Sequence, residues 1–276
     1  MQHSQGAIGV FDSGYGGLTV LKEITKLLPQ YNYIYLGDNA RAPYGPRSFE
    51  TVYAYTWQCV QWFFAQGCPL VIIACNTASA KALRNIQQKN LPLYPTPKKV
   101  LGVIRPTTET LGNYTHTNQV GILATAGTVA SNSYAIEMQK FFPNVTVHQQ
   151  ACPLLVPIIE NGEHQTTGAT YFINNYVQDL LKKDTAIDTI LLACTHYPII
   201  EEQIAKAAGN HITILSQGNI VANSLLNYLQ RHPEVETELL QQGEKKFYTT
   251  DSAVEFNKNA TVFYGEEINS HQIKLD

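Results

Sequence analysis

Charge and long hydrophobic runs are both scarce in this sequence, and each shortage excludes a class of function. Charged residues make up 15% of the 276, and the formal net charge is −3 at pH 7, so no basic surface is predicted for a nucleic acid or an anionic membrane. No apolar run is long enough to span a bilayer, and residues 1–6 lack the basic and apolar regions of a secretory signal. We therefore expect a cytoplasmic protein with neither nucleic acid nor membrane as a partner.

Cysteine is also infrequent, with five residues in the chain. Disulfides are rare in cytosolic proteins, and the sequence has no C-x-x-C or H-x-x-x-H pair that would indicate a metal site. We predict free thiols and no metal.

Short apolar runs alternate with longer amphipathic stretches along the chain, which is typical of an α/β fold built from βα units on a parallel sheet. Ser48 is the expected N-cap of a helix that ends near residue 66. The predicted strands cover residues 7–11, 33–36, 70–74, 98–104, 119–123, 145–149, 189–193, 213–215, 246–250 and 261–264.

Two pairs of segments resemble each other within the chain. Residues 71–77 and 190–196 are both apolar runs that end in Ala-Cys, 119 positions apart, and residues 9–14 resemble 121–126 at an offset of 112. Because both pairs keep their order and similar spacing, we predict two pseudo-symmetric parallel-sheet α/β domains with the active site in the cleft between them. The second domain is predicted over 104–211, and the first is discontinuous, over 1–103 and 212–276.

The duplicated segments carry one thiol each, Cys75 and Cys194. Ligands of parallel α/β sheets bind beyond the carboxyl ends of strands, where helix N-termini present N–H groups and lower the pKa of a thiol. A single Ala-Cys at the end of a buried strand is more often a packed residue than a nucleophile, but its repetition favours a functional role. Cys59 and Cys68 lie on or near a helical stretch, and Cys152 is predicted to be structural.

The polar neighbours of the thiols allow two interpretations each. Asp12 either acts as an acid/base group or caps the following helix, and His196 either assists a thiol or bonds to a backbone carbonyl. Glu160 is by default a solvated carboxylate, and we rank it below the other two. Asp38 and Arg41 are expected to organise their loop by pairing with each other.

The glycine-rich turn at residues 14–17 partly matches a dinucleotide-binding motif, but Thr19 stands where the third glycine is expected. A small anion such as a substrate carboxylate fits this turn better than a pyrophosphate.

Four motifs together resemble the Asp/Glu racemase family, and the glutamate racemases in it more than the aspartate racemases. The resemblance extends from about residue 8 to residue 265. The motifs are Asp12-Ser13-Gly14 with the turn after it, Gly37-Asp38 with Pro43-Tyr44-Gly45, Cys75-Asn76-Thr77, and Cys194-Thr195-His196. One position departs from the family pattern, because Ser216 in Leu215-Ser216-Gln217-Gly218 stands where an acidic residue is usual.

The resemblance implies a two-base exchange of the Cα proton of glutamate that needs no cofactor and supplies D-glutamate for peptidoglycan. Cys75 would act on the D face and Cys194 on the L face, with Asp12 and His196 as their acid/base partners and Glu160 as a third candidate. A homodimer is one of several assemblies found in the family. The implied substrate contacts are Asp12, Ser13, Tyr44, Gly45, Asn76, Thr77, Thr128, Thr195 and His196.

Other functions remain as alternatives. An aspartate or hydantoin racemase would share the fold and the cysteine pair. A cysteine hydrolase using Cys194 with His196 would leave Cys75 unexplained, and a periplasmic-type amino-acid binder would leave both thiols unexplained.

Loss of a Cα proton beside a carboxylate builds strong negative charge, so a racemase site must supply preorganised hydrogen-bond donors.

Overall fold

The computed structural model describes residues 6–275, and within them ten strands form two entirely parallel sheets. The predicted domain ends at residues 1–5 and 276 lie outside the described residues. The first sheet has the order β10-β9-β2-β1-β3-β4 and the second the order β6-β5-β7-β8. The strands are β1 (Ile8–Asp12), β2 (Tyr33–Gly37), β3 (Leu70–Ile73), β4 (Lys99–Gly102), β5 (Gln119–Ala124), β6 (Thr146–Ala151), β7 (Thr189–Ala193), β8 (Thr213–Ser216), β9 (Lys245–Thr249) and β10 (Ser270–Gln272).

Helices connect the strands and cover the sheets. The helix after Ser48 starts as predicted, because the Ser48 hydroxyl accepts the N–H of Thr51 at 3.2 Å. The α-helices are α1 (Gly17–Leu27), α2 (Phe49–Ala65), α3 (Asn76–Lys81), α4 (Leu83–Asn85), α5 (Ile104–Leu111), α6 (Ala126–Ser131), α7 (Ser133–Phe141), α8 (Leu155–Glu160), α9 (Thr167–Leu181), α10 (Glu201–Ala208), α11 (Gly218–Arg231), α12 (Pro233–Glu236) and α13 (Ala253–Tyr264).

The register of the two sheets confirms the internal duplication. The strand order β2-β1-β3-β4 of the first sheet matches β6-β5-β7-β8 of the second. Gly9 pairs with Val71 in the first sheet and Gly121 pairs with Ile190 in the second. The two sequence similarities therefore mark equivalent strands at equivalent register, and the chain has the predicted pair of pseudo-symmetric α/β units.

The last quarter of the chain contributes strands to both sheets, and this does not match the predicted domain boundary at residue 212. Strand β8 pairs with β7 and completes the second sheet, while β9 and β10 extend the edge of the first sheet beside β2. The predicted boundary therefore separates a strand from its own sheet. Helix α11 connects the two units and packs against α1.

The strand predicted over residues 261–264 is wrong, because this segment is the last turn of α13. Ser252 caps the start of that helix, and Gly265 ends it in the left-handed conformation. The helix buries Phe256, Ala260 and Phe263 at helical spacing. Within residues 6–275 no helix is both long and apolar enough to cross a membrane.

Candidate active site

The two thiols of the duplicated segments line one cavity between the sheets. Cys75 follows β3 and Cys194 follows β7, and each residue is 5% exposed. The cavity has a volume of about 150 Å³. Its wall is formed by Ser13, Ala42, Pro43, Tyr44, Gly45, Pro46, Cys75, Asn76, Thr77, Thr125, Ala126, Cys152, Pro153, Val156, Pro157, Glu160, Cys194, Thr195 and His196.

Most of the residues predicted from the sequence lie in this wall, but two of them do not. Asp12 and Thr128 are fully buried one layer behind it. Thr128 contacts the wall through Thr77 and Thr125, and its hydroxyl accepts that of Thr125 at 3.1 Å. Thr125, which the sequence analysis missed, takes the position in the wall and caps α6 by accepting the N–H of Thr128. The internal similarity contained this signal, because Thr125 aligns with Ser13.

The Cys75 thiol is held between the loop that follows β1 and the first turn of α3. Its sulfur accepts the N–H of Ala78 at 3.4 Å and lies 3.5 Å from the Ser13 hydroxyl. Burial, followed by the charge of Asp12, raises the pKa of Cys75 to about 12. The expectation that the helix N-terminus would lower this pKa is therefore wrong, because desolvation and the nearby carboxylate outweigh the donated hydrogen bond.

Asp12 connects the two units from beneath the cavity. Its Oδ1 accepts the Gly14 N–H at 2.9 Å, and its Oδ2 accepts the Thr195 hydroxyl at 3.2 Å. Burial raises its pKa, although His196 and these hydrogen bonds act in the opposite direction. Asp12 thus organises the loop that follows it and holds the residue next to Cys194. The alternative that Asp12 caps the following helix is wrong, because Gly16 is the N-cap of α1 and no side chain caps that helix.

On the Cys194 side, the side chains of Cys194, His196 and Glu160 contact one another in that order. His196 Nδ1 lies 3.9 Å from Cys194 Sγ, and His196 Nε2 lies 2.8 Å from Glu160 Oε1. Burial alone would lower the pKa of His196, but its hydrogen bonds with Cys194 and Glu160 raise it to about 10. The imidazole is therefore cationic at neutral pH. Glu160 is not the solvated carboxylate expected by default, since its side chain is 22% exposed and bonds to this ring.

The loop that supplies Tyr44 and Gly45 is fixed by buried charge. Arg41 Nε donates to Asp38 Oδ2 at 2.7 Å, which confirms the predicted pairing. The Tyr44 hydroxyl donates to the same carboxylate oxygen. Gly45 lies against Thr125 of the second unit, where an added Cβ would come within 3.3 Å of that side chain.

Cys152 and the segment after it form an apolar part of the wall. Cys152, Pro153, Val156 and Pro157 line the cavity beside Cys194. The sequence analysis placed Cys152 outside the chemistry, and its structural role stays a prediction. All five cysteines lie among the described residues and are free.

The glycine-rich turn after β1 leaves little space for a pyrophosphate. A Cβ on Gly16 would lie 2.2 Å from Thr195 Oγ1 and 2.4 Å from His196 Nδ1. The turn therefore packs directly against the Cys194 loop, which explains why glycine is needed there and weakens the dinucleotide interpretation. Among residues 6–275 no group of three or more His, Cys, Asp or Glu side chains is arranged to hold a metal ion.

Comparison with known proteins gives consistent matches over nearly the whole chain. The family profile "Asp/Glu/Hydantoin racemase" matches residues 8–224. The chain is 38% identical to a glutamate racemase of Enterococcus faecalis over 99% of this chain and 97% of the relative. It is 39% identical to a glutamate racemase of Ruegeria sp., over 95% of this chain and 98% of the relative.

Solved structures show the same similarity. A glutamate racemase isoform of Bacillus anthracis superimposes with a TM-score of 0.89 at 34% identity, covering 99% of both chains. A glutamate racemase of Francisella tularensis in complex with D-glutamate gives a TM-score of 0.86 at 32% identity, covering 99% of this chain and 98% of the other. An aspartate racemase of Picrophilus torridus shares the fold, with a TM-score of 0.56 at 20% identity over 82% of this chain and 95% of the other.

Proposed function

The chain belongs to the Asp/Glu/Hydantoin racemase family, and from this we propose that it interconverts L-glutamate and D-glutamate by a two-base transfer of the Cα proton between Cys75 and Cys194. It is an isomerase, an amino-acid racemase, and its relatives at 38–39% identity are glutamate racemases. An aspartate racemase structure at 20% identity and an aspartate racemase homologue at 14% identity support a common fold and nothing finer.

The observation that carries the proposal is the presence of two thiols, from equivalent positions of a duplicated unit, in the wall of one cavity. Inversion at a stereocentre requires a proton to leave from one face and another to arrive at the opposite face. A pair of groups supplied by two facing units meets this requirement. General acid–base transfer of this kind contributes roughly 10²–10⁴-fold, so the remaining acceleration must come from electrostatic stabilisation of the carbanion.

In the L-to-D direction, Cys194 as thiolate removes the Cα proton and the Cys75 thiol protonates the other face. The His196 cation lies 3.9 Å from Cys194 Sγ and places a positive charge beside the sulfur that takes the proton. Cys75 starts as a thiol because its pKa is raised to about 12. In the D-to-L direction the two sulfurs exchange roles, and Asp12, whose charge acts on Cys75, is the acid/base partner of that thiol.

Hydrogen-bond donors around the cavity stabilise the substrate carboxylates. The side-chain donors in the wall come from Ser13, Asn76, Thr77 and Thr195. The first turn of α3 supplies backbone N–H groups. Tyr44 and Gly45 close the cavity on the other side. We propose glutamate as the small-molecule substrate and no cofactor. We further propose that the enzyme works in the cytoplasm, as a homodimer, to supply D-glutamate for peptidoglycan.

The test is racemisation by purified protein without added pyridoxal phosphate, followed by chiral chromatography. We expect D-glutamate from L-glutamate, with Cys75→Ala and Cys194→Ala each losing nearly all turnover. Cys68→Ala is the matched control, because this buried cysteine lies outside the cavity wall. Full activity of either cavity variant would contradict the two-base mechanism, and faster turnover of L-aspartate would contradict the substrate.

A further inference from the structure

A closed ring of hydrogen bonds joins Asn76, Tyr134 and Gln217 at the back of the cavity. The Tyr134 hydroxyl donates to Asn76 Oδ1 at 2.5 Å, Asn76 Nδ2 donates to Gln217 Oε1 at 2.6 Å, and Gln217 Nε2 donates to the Tyr134 oxygen at 2.8 Å. Each member donates once and accepts once within the ring. Turning over one amide alone would break two of its bonds, so the ring fixes the orientation of the Asn76 carboxamide.

Gln217 is held in place independently of Asn76. Its Nε2 also donates to Thr107 Oγ1 at 2.9 Å and contacts the Val103 carbonyl at 3.4 Å. The residue is 3% exposed and lies at the N-terminal end of α11. Gln217 therefore has a fixed position from which it can orient another side chain.

The ring connects the two units. Asn76 follows β3 of the first sheet, whereas Gln217 follows β8 of the second and Tyr134 lies on α7. Asn76 belongs to the cavity wall, but Gln217 and Tyr134 lie behind it. The second unit thus reaches across the interface to a wall residue beside Cys75.

We propose that Gln217 is a positioning residue for substrate binding, which rests on the racemase function proposed above. An amide nitrogen carries two N–H groups, and Gln217 accepts one of those on Asn76. With this bond and the Tyr134 bond in place, the other N–H of Asn76 is directed into the cavity, where it donates to a substrate carboxylate. Gln217 thus acts through Asn76 and does not touch the substrate itself.

The experiment is a double-mutant cycle between Gln217→Leu and Asn76→Ala, with steady-state racemisation of L-glutamate as the readout. Loss of the ring frees the Asn76 amide, so Gln217→Leu lowers kcat/KM about tenfold, mainly through a higher KM. In the Asn76→Ala background the same substitution costs less than about twofold, because the group that it orients is already gone. Gln203→Leu is the control, since the Gln203 amide donates to the His164 carbonyl away from the cavity, and we expect no change in KM.

The outcomes separate the two proposals. An equal loss in both backgrounds, or an unchanged KM for Gln217→Leu in an active parent, would show a purely structural role and overturn this inference alone. A parent protein that fails to racemise glutamate would contradict the proposed function as well. If Gln217→Leu does not fold, Tyr134→Phe serves in the same cycle. This substitution removes the hydroxyl that donates to Asn76 and keeps the aromatic side chain in place.

Discussion

His196 Nε2 lies 2.8 Å from Glu160 Oε1, and the opposite nitrogen of the same ring lies 3.9 Å from Cys194 Sγ. The imidazole therefore connects a carboxylate at the edge of the cavity with one of the two thiols. This arrangement keeps the ring charged, because its hydrogen bonds with Cys194 and Glu160 raise the pKa of His196 to about 10.

Replacement of Glu160 by glutamine should lower the pKa of His196 from about 10 towards 6.5, because the carboxylate is one of the two partners that raise it. A group whose pKa is raised on folding contributes stability that is complete below its unfolded pKa and lost as pH rises through its folded pKa. Wild type should therefore exceed Glu160→Gln in unfolding free energy most clearly near pH 6, and the difference should shrink by pH 10.5. NMR titration of the ring and urea denaturation at both pH values measure these effects.

The matched control for that substitution is Glu163→Gln, which removes a carboxylate from the exposed loop that follows the same helix. It should leave the His196 titration unchanged. A pH-independent difference between wild type and Glu160→Gln would contradict the assigned cause.

Replacement of Asp12 by asparagine should lower the pKa of Cys75, because the Asp12 charge is the second cause of its rise to about 12. A larger thiolate fraction at a given pH should speed alkylation by iodoacetamide. The rate is read for the Cys75 peptide by mass spectrometry across a pH series, with Cys68 in the same digest as the internal reference. An unchanged pH profile for Cys75 would rule out the electrostatic coupling.

A methyl group on Gly16 should disturb the Cys194 side of the cavity. The added Cβ would overlap Thr195 and His196, at 2.2 and 2.4 Å from their nearest atoms, and such overpacking typically costs about 1–3 kcal/mol. We expect Gly16→Ala to lose stability of this order in urea denaturation and to lower kcat/KM. Gly168→Ala is the control, since its Cβ would meet its nearest neighbour at 3.8 Å. Equal stability of the two variants would contradict the close contact between the loops.

Most of the strands can be predicted from local sequence, because apolar runs bounded by turns are typical of buried strands. The run at 189–193 matches β7 to the residue, and the repeated Ala-Cys segments located equivalent strands before any pairing was known. Segment 261–264 was misassigned because four apolar or β-branched residues are too few to reveal a helical period. The sheet to which β8 belongs depends on pairing with β7, which its own residues do not specify.

The site was predictable where it lay at strand ends and not where it depended on distant contacts. Cys75, Cys194 and His196 lie within three residues of the ends of their strands. Glu160 is separated from His196 by 36 positions, and Gln217 from Asn76 by 141, so these hydrogen bonds exist only through the fold. The raised pKa of Cys75 likewise depends on burial and on Asp12, which outweigh the local effect of the helix start.

The central claim is that each face of the substrate stereocentre has its own base, and deuterium incorporation tests it most directly. Wild-type protein racemises L-glutamate in D2O, the reaction is stopped at low conversion, and the enantiomers are separated for mass spectrometry. Two bases predict deuterium at Cα of the D-glutamate product while the remaining L-glutamate keeps its proton. Equal deuterium in both enantiomers from the earliest times would mean a single base that serves both faces, and would contradict the account.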